Sequence, residues 1–92
     1  MNKHTRKQIT DIQIRINQAQ SELEAARDDL ETIADEEDEK FENLPEGIQD
    51  SERGERFQEG AEQLREAVQS LEDAEQSFEE IGNALCEAMG DM

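Results

Sequence analysis

Leu44-Pro45-Glu46-Gly47-Ile48-Gln49-Asp50-Ser51 is the stretch of this 92-residue chain where a long apolar periodicity breaks off and restarts, and its reading decides the fold. Pro45, the single proline, disfavours helix at Leu44, and Gly47 follows it. Asp50 or Ser51 then supplies an N-cap for a second helix. Upstream, Ile9, Ile12, Ile16, Ala19, Leu23, Ala26, Leu30 and Ile33 step by three and four, the stripe of an amphipathic helix with coiled-coil spacing. Downstream the run is Phe57, Ala61, Leu64, Val68, Leu71, Glu75, Phe78, Gly82, Leu85, Met89 and Met92. The pattern predicts one all-α domain over residues 1–92: a helix near 5–43, a loop over 44–51 and a helix near 52–89. Thr5 with Gln8, or Thr10 with Gln13, has the spacing of a capping box at the first helix's start.

Two helices of matched length joined by a short loop become antiparallel neighbours, so the expected architecture is a two-helix coiled-coil hairpin. Folding the chain about Gly47 pairs residues whose numbers add to 94. Leu30 then faces Leu64, Leu23 faces Leu71, Ile16 faces Phe78 and Ile9 faces Leu85, large against large. The alternate layers pair Ile33 with Ala61, Ala26 with Val68, Ala19 with Glu75 and Ile12 with Gly82.

Apolar residues are only 33% of the chain, which leaves a thin core for a two-helix unit. The second helix also carries a column of mostly small residues beside its seam, Gly60, Ala67, Ala74, Ile81 and Ala88. Self-association through Ala67, Ala74, Ile81 and Ala88, as a homodimer forming a four-helix bundle, is the expected way to cover it.

Charge bounds the function. Asp and Glu number 26 against nine Lys and Arg, a net of -17. Such a chain repels nucleic acid and anionic membranes and is drawn to basic surfaces. The acids recur at three and four residues on the first helix, at Glu24, Asp28, Glu31, Asp35, Asp38 and Glu42, on the side expected to lie opposite the seam. Glu55, Glu59, Glu62 and Glu66 repeat the pattern on the second. One carboxylate per 3.5 residues is one charge per roughly 5 Å of helix. Two adjacent helices approach the roughly 1.7 Å per charge of duplex DNA. The first 18 residues depart from this rule, with Lys3, Arg6, Lys7 and Arg15 against Asp11, and are expected to pair with Glu87, Asp91 and the chain's terminal carboxylate.

Catalytic and cofactor chemistry finds no motif. His4 is the only imidazole, so neither a His-based triad nor a zinc site can be assembled. Asp35 to Glu39 lacks the glycine of a calcium loop, with Lys40 in its place. A two-helix rod gives paired carboxylates no dry cleft for acid–base work. Cys86 is the lone cysteine and cannot form an intramolecular disulfide. With no apolar run after the basic N-terminal residues and no stretch long enough to span a membrane, a cytoplasmic location is expected. The chain is therefore read as a non-enzymatic protein without cofactor or metal.

The segment Phe41-Glu42-Asn43-Leu44-Pro45-Glu46-Gly47-Ile48-Gln49-Asp50-Ser51-Glu52-Arg53-Gly54-Glu55 resembles the turn of small acidic helical proteins of phages and mobile elements. In that group a similar aromatic, Asn-Leu-Pro-Glu and Ser-Glu-Arg run joins two Glu-rich helices. The resemblance carries over no functional residue. It implies a context in which short acidic proteins act as inhibitors of host defence nucleases, among them anti-CRISPR and DNA-mimic proteins. The expected partner is a basic, nucleic-acid-binding host protein; the competing expectation is an oligomerising coiled-coil adaptor or structural protein.

Overall fold

The computed structural model describes residues 1–90, and it is a narrow rod of 69 × 17 × 15 Å. Two long helices, α1 (Lys3–Glu42) and α3 (Glu52–Ala88), pack against each other along their length. A short helix α2 (Glu46–Gln49) occupies the middle of the segment read from sequence as a loop. No described residue is in a strand.

The ends of the helices follow from local hydrogen bonding. Asn2, not Thr5 or Thr10, is the N-cap of α1; its side-chain oxygen accepts from the Thr5 backbone N–H at 2.8 Å. An Asn at this position satisfies one of the first-turn donors that no preceding carbonyl can reach. Ser51 caps α3 by backbone conformation, while its hydroxyl turns back to donate to the Ile48 carbonyl. Glu52 and Glu55 lie in the first turn of α3 and Lys40 in the last turn of α1, each at the end of the helix dipole that favours its charge. At the far end Gly90 takes φ 73°, a left-handed residue that closes α3 after Met89, and its N–H donates to the Glu87 carbonyl.

The reversal between α1 and α3 is tightly built. The Gln49 side-chain amide donates to the carbonyls of Phe41, Glu42 and Leu44 at 3.1–3.3 Å, where α1 has run out of its own donors. Gly54 is buried against the backbone of Gln49, so closely that a β-carbon there would overlap the Gln49 carbonyl. Phe41, Leu44 and Phe57 are half-buried around this turn, whereas Ile48 remains 36% exposed.

The seam of α3 follows its apolar stripe, with Phe57, Ala61, Leu64, Val68, Leu71, Glu75, Phe78, Gly82, Leu85 and Met89 all buried or half-buried. The seam of α1 departs from expectation. Ile9, Ile16, Leu23 and Leu30 face α3, but the column that completes the seam is Gln13, Gln20, Arg27, Ala34 and Phe41. Ile12 and Ile33 stand 46% and 44% exposed, and Ala19 and Ala26 are exposed with them. The helix is thus rotated so that polar residues share the interface. Arg27 accounts for part of this: its guanidinium reaches Glu75, the acid in the α3 seam, at 2.6 Å, with side chains only 27% and 13% exposed. An unpaired Glu75 at that depth would be costly, and Arg27 supplies its counter-charge.

The register is also shifted. Thr10 meets the Met89 sulfur at 3.9 Å, Gln13 the Cys86 sulfur at 3.6 Å, Arg27 Glu75 at 2.6 Å, and Arg65 Asp35 at 3.1 Å and Asp38 at 2.6 Å. The numbers of these pairs add to between 99 and 103, one heptad beyond the expected 94. Leu30 is therefore level with Leu71, Leu23 with Phe78 and Ile16 with Leu85. A one-heptad slide preserves both stripes, which is why the large-on-large match at 94 did not discriminate. In the alternate layers Ala34 is level with Val68 and Phe41 with Ala61, and Ala34, Ala61 and Val68 are buried.

Two predictions test this geometry. In a Cys86→Ser background, cysteines at Leu23 and Phe78 should form an intramolecular disulfide on oxidation faster than cysteines at Leu23 and Leu71; the reverse order in a non-reducing gel would restore the unshifted register. Gly54→Ala should lower stability by about 1–3 kcal/mol, since the new methyl overlaps backbone that cannot move without disturbing the turn. Thermal unfolding followed by circular dichroism measures it, with Gly60→Ala, where a β-carbon meets nothing and only the gain in helix propensity remains, as the comparison.

Candidate functional site

The rotation of α1 changes where its acids lie. Glu24, Asp28, Glu31, Asp35 and Glu42 each follow a seam residue by one, and Asp38 follows the half-buried Glu37, placing them about 100° around the helix from it. They were expected opposite the seam; they instead flank it, on the side towards α3. Five of the six are exposed, and Asp38 is half-buried because it borders the interface. On α3, Glu55, Glu59, Glu62 and Glu66 are all exposed and point away from the seam. The two groups share the loop half of the rod without forming a single row.

Arg65, which the sequence pattern did not single out, joins them. It projects from α3 across the groove between the helices and bonds Asp38 at 2.6 Å and Asp35 at 3.1 Å. The hydrogen bond to Asp38, more than that to Asp35, holds the Arg65 guanidinium above its ordinary pKa against partial desolvation. Glu31, Asp35, Arg65, Val68, Gln69 and Glu72 line an open depression of about 270 Å³ beside this pair. Glu72 brings a further acid to the same face. The signal for Arg65 lay in the register: once pairs add to about 101, it falls beside the acids between Asp35 and Asp38.

Other acids carry local partners. Asp28 lies 3.3 Å from the Arg27 guanidinium, which also holds Glu75. Desolvation of Arg27 is outweighed by the Asp28 hydrogen bond and the Glu75 charge, so its pKa is raised. Lys40 bonds the half-buried Glu37 at 2.9 Å, and Arg56 bonds Glu52 at 3.1 Å as an exposed pair of small energetic weight. Near the N-terminus Lys7 is 3.8 Å from Asp11 within α1; Asp91 and the terminal carboxylate at Met92, expected as partners of the basic residues, lie outside the described residues.

No three His, Cys, Asp or Glu side chains among the described residues gather as a metal site. Cys86 is exposed and receives a weak hydrogen bond from Gln13. No described helix is long and apolar enough to cross a membrane. On α3, Ala67 and Ala74 are half-buried and Ile81 and Ala88 exposed, so the column read as a self-association surface lies at the edge of the hairpin interface.

The geometry defines a class: an all-α helical hairpin with a dense carboxylate surface on its loop half. Compared with models of protein families, with curated proteins and with solved structures, the chain gives no match.

Arg65→Gln should lower the thermal midpoint at low salt, because Asp35 and Asp38 then repel each other without a counter-charge. The loss should shrink when ionic strength rises from about 0.01 M to about 1 M, where screening reaches only about 3 Å. An equal loss at both salts would mean that Arg65 acts by packing its aliphatic stem rather than by charge.

Proposed function

We propose that this chain is a non-enzymatic interaction protein, working as a homodimer, that occupies the nucleic-acid-binding groove of a basic host protein and so inhibits it, as a DNA mimic does. The observation that carries this reading is the run of carboxylates along the loop half of two long continuous helices. Nine of the ten acids in the two stripes are exposed. Fixed on helices, they present charge at a spacing of roughly 5 Å per helix without the ordering cost that a flexible acidic tail would incur on binding. Arg65 holds Asp35 and Asp38 in place on that surface.

A basic groove built for phosphates recognises negative charge at regular intervals, and a 17 Å wide acidic rod offers that pattern without bases to read. The phage and mobile-element resemblance of the turn adds a setting in which the target is a defence nuclease. The oligomerising adaptor reading assigns the acids only to solubility, and the same experiment separates the two.

Six substitutions to Gln, at Glu24, Asp28, Glu31, Asp35, Glu59 and Glu62, keep polar, helix-favouring side chains while removing six charges. Proteins captured from bacterial lysate on the immobilised chain at low salt should be released by duplex DNA and by raising salt towards about 1 M. The Gln variant should retain its helicity and capture none of them. A partner held equally by the Gln variant at high salt would refute mimicry and favour the adaptor.

A further inference from the structure

The hairpin leaves one face without charge, and that face combines features of both helices. Rotation of α1 puts Ile12, Ala19, Ala26 and Ile33 on the flank opposite its acids, all exposed. The observed register sets them level with Ala88, Ile81, Ala74 and Ala67 of α3. Ile12, Ile33 and Ile81 are 46%, 44% and 42% exposed, unusual for isoleucines spaced along one strip. The strip runs for roughly 30 Å at 1.5 Å per residue.

Its outer edges differ in a telling way. Beside the strip on α1 stand Arg15, Glu22, Asp29 and Glu36; beside it on α3, at the matching levels, stand Ala84, Ser77, Ser70 and Gln63. In a chain of net charge -17, this edge of α3 carries no acid from Gln63 to Ala84. A cover that sets its own carboxylates against the neutral α3 edge and neutral residues against the acidic α1 edge fits both sides of the strip. The chain itself has that distribution.

We propose that this face is covered by a second copy, the two hairpins packing about a twofold axis that runs along the rod, so that α1 of each lies antiparallel on α3 of the other with both loops at one end. The inference rests on the homodimer reading and specifies its geometry. In this arrangement each level meets itself: Ile33 stands over Ala67 of the other copy, Ile12 over Ala88 and Ile81 over Ala19, while Ala26 and Ala74 close together. Every exposed isoleucine of the strip meets an alanine. Glu22, Asp29 and Glu36 meet Ser77, Ser70 and Gln63, which can donate hydrogen bonds to them. The other face-to-face twofold, perpendicular to the rod, stacks Ile33 on Ile12 and Ala26 on Ala19, crowding two levels and leaving others open. A rod face 17 Å wide covers about 500 Å² per chain along the roughly 30 Å strip alone, and reaches the roughly 800 Å² of a standard stable interface when the overlap extends to about 50 Å, most of a helix's length.

Sedimentation equilibrium of the full chain, with circular dichroism as the fold control, tests the proposal. The wild type should have twice the 10.5 kDa chain mass, and Ile33→Glu and Ala74→Glu should each halve it. Ile14→Glu, at an exposed isoleucine outside the strip, should leave the dimer intact. Ala67→Ile alone should weaken association by overpacking, and adding Ile33→Ala should restore it, since the two residues then exchange places across the twofold. If a Glu variant fails to fold, Ile33→Ser and Ala74→Ser, which add no charge, provide the same comparison. A monomeric wild type at about 100 μM would overturn the dimer and this face together, an affinity too weak for a working pair. A dimer indifferent to Ile33→Glu and Ala74→Glu would overturn the face while sparing the dimer, and a swap that fails to restore association would overturn the arrangement.

Discussion

The close approach of Gly54 to the Gln49 backbone is the constraint on which the rest of this structure depends. Two heptad stripes can pair in any register that differs by seven residues, and burial of leucines alone does not choose among them. The turn chooses. Helix α2 consumes four residues in a single turn, Gln49 ties the last carbonyls of α1, and Gly54 lets the start of α3 lie directly against that knot. The reversal is thereby centred near Ser51 rather than Gly47. From it follow the level of Arg27 with Glu75, the reach of Arg65 to Asp35 and Asp38, and the large-on-large layers of Leu30 with Leu71 and Leu23 with Phe78.

Much of the architecture was legible in the sequence because the features that set it are local. Pro45, Ser51 and the α3 stripe from Phe57 to Met89 mark a break and a buried face unambiguously. The α1 face was harder, since Ile9, Ile16, Leu23 and Leu30 are bordered by two columns. Hydrophobicity favoured Ile12, Ala19, Ala26 and Ile33; the protein uses Gln13, Gln20, Arg27, Ala34 and Phe41. Part of the reason is a pairing between helices, Arg27 with Glu75, which no stripe on one helix can display. The acidic residues were identifiable individually, but their placement depended on the same rotation, and Arg65 was invisible until the register was known.

One rotation thus organises both surfaces. Turning α1 by one column moves its acids towards α3, where Arg65 can bridge to them, and in the same movement leaves Ile12 and Ile33 on the opposite side. Only Ala34, Ala61, Val68 and Met89 are buried apolar residues among those described, so the hairpin spends part of its hydrophobic content outside its own core. The acids of the loop half and the apolar strip thus lie on different sides of α1. Each face can then meet a different chemistry without exposing the other.

The turn also bears on how the chain reaches this state. Gln49 contacts Phe41, Glu42 and Leu44, between five and eight residues away, whereas the far end of the rod joins Thr10 to Met89, 79 residues apart. Loop closure is least costly for the short separations, so the knot can form early and each successive pair closes only a small additional loop. Helices that extend from a fixed corner grow in one register, whereas helices that meet along their lengths would sample several. The turn acts in this sense as a template in time as well as in space.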